Sequence, residues 1–127
     1  MKYWRLVAGD KYGRSIILGD WIRKEYIAVG FEDPNHITRK RFSSMEEGDK
    51  VVIVAEGYVY AVGELIGDEY EKAEPDLYLH RRDTEWYMVT RTPYTRFPTR
   101  LKNKLQNPHT LLELSEDEWE TLMMCLK

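Results

Sequence analysis

Two kinds of side chain in this sequence could act together. Aromatic rings stand outside the obvious helical stripe of the C-terminus: Trp4, Trp21, Phe31, Tyr70, Trp86 and Tyr87. Basic residues occur in short runs, Arg39-Lys40-Arg41 and Arg81-Arg82. Guanidinium and ammonium groups neutralise phosphates, and an aromatic face stacks on a base taken out of its helix. A well-packed small barrel uses the same residue types for its interior, so composition leaves both readings open. The charge is also segregated. Between Trp86 and Leu112 stand Arg91, Arg96, Arg100, Lys102 and Lys104 with no acidic residue, whereas Glu113, Glu116, Asp117, Glu118 and Glu120 crowd the stretch that follows.

Catalytic chemistry has little to work with. The sequence contains neither Gly-x4-Gly-Lys-Ser/Thr nor Gly-x-Gly-x-x-Gly, which removes the usual phosphate-binding loops of nucleotide motors and dinucleotide enzymes. No lysine has an acidic residue two positions before it, so half of a common nuclease metal site cannot be written anywhere. His36, His80 and His109 are widely spaced and Cys125 is the one cysteine, leaving no zinc signature and no internal disulfide. His80, beside Arg81, Arg82 and Asp83, has no identifiable nucleophile to activate and reads as structural. The expectation is a binding protein without catalytic residues, metal or cofactor.

The elements that must position these residues can be sketched from length and periodicity. A chain of 127 residues that is 43% hydrophobic fits one domain, 1–127, and buries roughly two thirds of its unfolded surface. A net charge of -3 argues against a uniformly basic polyanion binder. No apolar run approaches the roughly 18 residues of a membrane span, and Met1-Lys2-Tyr3-Trp4-Arg5 lacks the apolar core of a signal peptide, so a soluble cytoplasmic protein is expected.

Five short β-rich runs are predicted: Tyr3 to Val7, Tyr26 to Phe31, Val51 to Ala55, Tyr58 to Ile66, and Trp86 to Val89. Lys50 to Ile66 reads as a hairpin turning at Glu56-Gly57, with Gly63 marking a bulge or a close backbone approach. Ser15 can cap a short helix with Ile17, Leu18, Trp21 and Ile22 as its apolar stripe, and a second helix follows Pro98 from Thr99 to Gln106. At the end, Ser115 and Glu118 form a capping box, and Leu114 and Trp119 occupy the positions of a hydrophobic staple. Trp119, Leu122, Met123 and Leu126 recur at helical spacing over about 116–126, with Met123 and Met124 as core filler and Cys125 as inert packing.

The arrangement of these residues resembles a known family. Tyr3-Trp4, the strand Tyr26-Ile27-Ala28-Val29-Gly30-Phe31 after a Trp21-bearing helix, Gly48-Asp49-Lys50-Val51-Val52-Ile53 and Leu114-Ser115-Glu116-Asp117-Glu118-Trp119 resemble the EVE domains of the PUA-like superfamily. Ile27 to Asp33, Val62 to Tyr70 and Tyr78 to Trp86 look like the EVE-type N-terminal domains of McrB-like modification-dependent restriction systems. The resemblance implies an α+β fold, a small mixed β-barrel of the PUA/EVE/YTH kind with helical covers and a C-terminal amphipathic helix. It implies DNA carrying a modified base, most simply N6-methyladenine, flipped into an aromatic cage, while a separate GTP-driven motor and a nuclease subunit do the cutting. RNA recognition by a PUA/YTH-like module, or a protein or small-ligand interaction module, is the alternative.

On that reading Trp21, Phe31 and Tyr70 are the cage candidates and Asp33 the partner for the polar edge of the base. Trp4 and Trp86, inside strands, are expected in the core. Arg39, Arg41, Arg81, Arg82, Arg96 and Arg100 would position phosphates. If about four to six of these cations touch phosphates, the logarithm of affinity should fall with log salt at a slope of roughly 4 to 5.

Overall fold

The computed structural model describes residues 1–9, 17–30, 33, 35–71 and 80–126. Along the chain lie β1 (Tyr3–Val7), α1 (Leu18–Lys24), β2 (Tyr26–Val29), α2 (Ile37–Ser44), β3 (Lys50–Ala55), β4 (Tyr58–Leu65), β5 (Tyr70–Glu71), β6 (His80–Pro93), a 3-10 turn (Tyr94–Arg96), α3 (Thr99–Leu105), β7 (Leu111–Leu114) and α4 (Glu116–Leu126). The strands form one curled half-barrel sheet in the order β2-β6-β4-β3-β1-β7, with β5 also on β6. β1 and β3 are parallel and the other pairs antiparallel. This is the expected mixed α+β architecture with helical covers.

The sheet has a core on each face, and alternation along β3 shows why. Val51, Ile53 and Ala55 join Trp4 and Leu6 of β1, and Ala8 just after it, in a cluster that α1, β2 and α2 close with Trp21, Ile27 and Phe42. Val52 and Val54 point the other way, into a cluster with Leu101 and Leu105 of α3 and Trp119 and Leu122 of α4. A strand buried on both faces reads as a continuous apolar run, which is what Val51-Val52-Ile53-Val54-Ala55 is.

The hairpin of β3 and β4 turns at Glu56-Gly57, both at positive φ (52° and 87°). At Gly63 a Cβ would lie 2.5 Å from the Glu85 carbonyl oxygen and 2.7 Å from Cε3 of Trp86, so the close approach is real. The register between β4 and β6 shifts there, between Val62 and Gly63, and again between Val59 and Ala61. Such bulges bend a long strand, and they let β6 run on to pair with β2 at its start.

The C-terminal helix keeps its expected cap. The Glu118 N–H donates to Ser115 Oγ at 3.1 Å, and the Ser115 N–H donates to Glu118 Oε1 at 2.8 Å. Trp119 stacks on Tyr3 with ring centroids 5.2 Å apart. Met124, expected as core filler, is 75% exposed, because two residues after the buried Leu122 the helix has turned about 200° to its outer face. Cys125 is half-buried beside the same cluster. α1 begins after Ile17, and Ser15 lies outside the described residues.

Four elements are additional to the expected ones: α2, β5, β7 and the 3-10 turn. The strand expected over Trp86 to Val89 is the middle of the much longer β6. No helix among the described residues is long and apolar enough to cross a membrane.

Candidate nucleic-acid interface

The candidate site forms where β6 begins, because His80 and Arg81 are paired on both sides and Arg82 and Asp83 on one. Tyr26, Ile27, Ala28 and Val29 of β2 stand opposite Asp83, Arg82, Arg81 and His80, and Tyr70 and Glu71 of β5 stand opposite Arg81 and His80. Alternation then sorts the side chains: Tyr26, Tyr70, Arg81 and Asp83 share one face, and Ile27, Glu71, His80 and Arg82 the other. On the first face the Arg81 guanidinium lies 4.4 Å from the centroid of the Tyr26 ring. The Tyr70 hydroxyl donates to Asp83 Oδ1 at 3.0 Å. Burial raises the Tyr70 phenol above its ordinary pKa, and the bond to Asp83, which only the protonated phenol can donate, raises it further. The result is a neutral ring, 41% exposed, with its hydroxyl tied and its edge or face free to meet a ligand.

The opposite face is closed. Arg82 Nε donates to the Phe42 carbonyl and Nη1 to the Gly67 carbonyl, each at 3.3 Å, and the guanidinium sits 5.7 Å from the Phe42 ring centroid. Burial lowers its pKa, with Glu69 and Asp68 acting against that. His80 is 5% exposed; its Nδ1 makes no hydrogen bond and stands 3.8 Å from Glu71 Oε1. Among the described residues no group of three or more His, Cys, Asp or Glu is placed to hold a metal ion.

No family model and no curated protein matches the sequence. Solved structures do match the fold. The YTH domain of the Zygosaccharomyces rouxii MRB1 protein, determined in complex with N6-methyladenosine RNA, superposes with a TM-score of 0.68 over 99% of this chain and 86% of that one, at 12% identity. The fold is YTH-like. Two bacterial proteins share it: PSPTO5229 from Pseudomonas syringae (TM-score 0.65, 12% identity, 96% of this chain and 97% of that one) and Rpa0253 from Rhodopseudomonas palustris (TM-score 0.63, 15% identity, 99% and 92%). At these identities the likeness is one of fold.

Within the YTH-like fold the four base-contact candidates have different fates. Trp21 is 1% exposed, its ring in the core and its carbonyl accepting the Trp86 Nε1–H at 3.0 Å. As the fold stands that ring offers no open face to a base, because the apolar stripe of α1 turns it inward. Phe31 lies outside the described residues. Asp33 is exposed and builds a turn, its carboxylate accepting the Asn35 N–H at 2.9 Å and its carbonyl the His36 N–H at 3.0 Å. Tyr70 is the candidate that presents an exposed ring among the described residues. Trp4 is buried as expected, and Trp86 packs partly buried against the same cluster.

The phosphate candidates divide in two. Arg39 holds Glu69 through both guanidinium nitrogens, at 2.6 and 3.3 Å, and also bonds Ser43. Arg41 donates to the Leu111 carbonyl at 2.7 Å, fastening α2 to β7. Arg81 and Arg82 are 8% and 4% exposed. These four are ties within the fold, satisfied by a carboxylate, carbonyls and rings that folding brings up to them. Arg96 and Arg100 remain on the surface. Arg100 and Lys104 also line an 800 Å³ groove between α3 and α4, whose other wall carries Asp117 and Glu118. That mixture of signs does not suit a phosphate backbone inside the groove itself, although Arg100 is also exposed outside it.

Sequence reasoning passed over Tyr26 and Asp83 as site residues. Both occur in the quoted motifs, and the signal that could have found them is the short alternation Arg81-x-Asp83 opposite Tyr26-x-Ala28.

Proposed function

We propose that this protein reads a modified base in a nucleic acid, binding without catalysis, and that the base is N6-methyladenine. The observation that supports the reading is the likeness over 99% of the chain to a YTH domain captured with N6-methyladenosine RNA. Tyr70 would supply a stacking ring, with Arg81 and Asp83 fixing its surroundings. Phe31 and Asp33 remain candidate contacts on the sequence resemblance alone. The DNA form of the reading, with a GTP-driven motor and a nuclease as partners, rests on the resemblance to the N-terminal domains of McrB-like systems. The RNA form is the alternative, supported by the ligand of the YTH neighbour.

Four probes of one sequence test this: DNA and RNA, each with and without a single N6-methyladenine, titrated at one salt concentration. Preference for methylated DNA is the expected result. Preference confined to RNA transfers the reading to RNA, where a reader can use the 2′-hydroxyl. Equal affinity for methylated and unmethylated probes defeats it, and metal-dependent cleavage by the pure protein overturns the non-catalytic role.

A further inference from the structure

We infer that the nucleic acid is gripped at a second place, the far end of β6, remote from Tyr70, so that this protein needs a partner spanning about seven or eight base pairs or the equivalent single strand. The inference rests on the base-reading function proposed above and adds to it a surface and a minimum length. Arg91, two residues before the end of β6 and inside the register shift between Val89 and Thr92, lies with its guanidinium 4.2 Å from the ring centroid of Tyr58, beside Tyr60. The two tyrosine rings are 6.0 Å apart. The platform is anchored: Tyr58 stands opposite Pro93 in the sheet, and the Tyr94 N–H donates to the Gly57 carbonyl at 3.0 Å, clamping the 3-10 turn to the hairpin tip. From there the chain presents Arg96 and Arg100, both exposed, in the stretch that has no acidic residue between Trp86 and Leu112.

Charge complementarity selects the occupant. An arginine layered on a tyrosine offers donors to a phosphate while the ring edge beside it meets a base or sugar, the combination that single-stranded and backbone-tracking surfaces use. Acids near this track are Glu56 at the hairpin tip and Asp117 and Glu118 across the groove from Arg100, with Glu64 and Glu85 paired between β4 and β6 on the way to Asp83; the Glu118 carboxylate lies 3.9 Å from Lys104 and takes that lysine out of the count. At the other end of β6 the arginines are bonded within the fold, so the named free cations are concentrated here. Asp83 and Arg91 are eight residues apart on one strand, about 26 Å less a little for the two bulges. At 3.4 Å per base step that separation is roughly seven to eight steps.

The test is a length series of DNA and RNA oligonucleotides of 4, 8, 12 and 16 nucleotides, each with one N6-methyladenine near an end, with the wild type and the double variant Arg91→Ser/Arg96→Ser. The wild type is expected to gain at least about tenfold in affinity between 4 and 12 nucleotides and then level off. The double variant should lose about tenfold on the 12-mer, less than twofold on the 4-mer, and about 2 from the salt slope. Length-independent binding by a wild type that prefers the methylated base overturns the second contact and leaves base reading standing, as does a double variant that binds like wild type. Length-dependent, arginine-dependent binding with no preference for the methylated base does the reverse. No binding to any oligonucleotide defeats both.

Discussion

Trp4 and Asp49, 45 residues apart in sequence, are joined by a 3.0 Å hydrogen bond from the indole Nε1–H to carboxylate Oδ2. The same buried carboxylate accepts the backbone N–H groups of Lys2 and Glu46, also at 3.0 Å, so it ties the start of β1 to the loop that launches β3. An acceptor shared by three donors is costly to remove, because the buried indole N–H left without a partner costs about 1–3 kcal/mol and the two half-buried backbone N–H groups add to it. Asp49→Ala is expected to lower the unfolding free energy by about 3 kcal/mol or more, measured by urea denaturation. Asp49→Asn, which keeps one carbonyl acceptor, should cost less. Equal stability of Asp49→Ala and wild type would remove the carboxylate from its central place.

Gly63 makes the second expectation. Any side chain there meets backbone at 2.5 Å and the six-membered ring of Trp86 at 2.7 Å, and neither is the loose end of a flexible chain. Gly63→Ala should therefore cost about 2–3 kcal/mol as overpacking. Because Trp86 must shift, its hydrogen bond to the Trp21 carbonyl should weaken, and tryptophan fluorescence of the folded variant should change. A variant as stable as wild type would place the bulge elsewhere.

What could be read beforehand follows from how local the signal is. The capping box, the hairpin turn and the close approach at Gly63 are each specified within a few residues, and each is found. α2 escaped because Ile37-Thr38-Arg39-Lys40-Arg41-Phe42-Ser43-Ser44 has β-branched residues and no acid in its first turn, and buries only Thr38 and Phe42, an i,i+4 pair too sparse to show as a stripe. Missing that helix also made Arg39 and Arg41 look free. Their partners, Glu69 and the Leu111 carbonyl, lie 30 and 70 residues away, a distance over which sequence spacing says nothing. Tyr70 was legible as an aromatic outside any core pattern; its bond to Asp83 depends on β5 and β2 meeting β6 from opposite sides, which is a property of topology.

Arg5 and Tyr94 give a signed dependence on pH. Arg5 is fully buried, donates Nη2 to the His109 carbonyl at 2.7 Å, and leaves Nε and Nη1 without partners. Burial lowers its pKa to about 10, with Tyr94 acting against this and Arg41 adding to it. Burial pushes the Tyr94 phenol up to about 12, opposed by Arg5. Between those values the unfolded chain holds a proton on Arg5 that the folded chain has released, so this group makes stability rise with pH. Over the same window the folded chain keeps a proton on Tyr94 that the unfolded chain has lost, so that group makes stability fall. Each slope approaches about 1.4 kcal/mol per pH unit, and the two oppose. Relative to wild type, Tyr94→Phe should gain stability from pH 10 to 12 and Arg5→Met should lose it. At pH 7, Arg5→Met should be neutral or stabilising, since it removes a buried charge that lacks a counter-charge. Urea denaturation at pH 7, 10 and 11.5 measures all three, and parallel curves for the variants and wild type would refute the pairing.

Tyr70 separates ring from hydroxyl. Stacking on an aromatic side chain is worth about 1–3 kcal/mol per base, while burying one methyl group adds only about 0.8, or about fourfold in affinity. Discrimination therefore depends on a fitted ring more than on the methyl itself. Tyr70→Ala is expected to remove most of the preference for methylated over unmethylated probes. Tyr70→Phe keeps the ring and loses only the 3.0 Å bond to Asp83, so it should retain most of it. Paired affinities for the two probes decide the matter. Equal preference in Tyr70→Ala and wild type, with folding confirmed, places the reading surface elsewhere.

The division among the arginines changes the salt dependence that the sequence suggested. With Arg39, Arg41, Arg81 and Arg82 bonded inside the fold, and Arg91, Arg96 and Arg100 exposed, about three phosphate contacts remain. The slope of log affinity against log salt should then be close to 3 on double-stranded DNA, below the roughly 4 to 5 expected for about four to six phosphate contacts. The same division sorts single variants by readout. Arg82→Ala strips two carbonyls of their buried donor and should cost about 2 kcal/mol of stability while leaving the slope of the folded fraction unchanged. Arg96→Ala and Arg100→Ala should each lower the slope by about 1, weaken methylated and unmethylated probes alike, and leave unfolding within about 0.5 kcal/mol of wild type. A slope of 5 or more, or an Arg82→Ala protein that folds normally and loses a unit of slope, would show that the buried arginines open toward the nucleic acid and that the surface track is not the main grip.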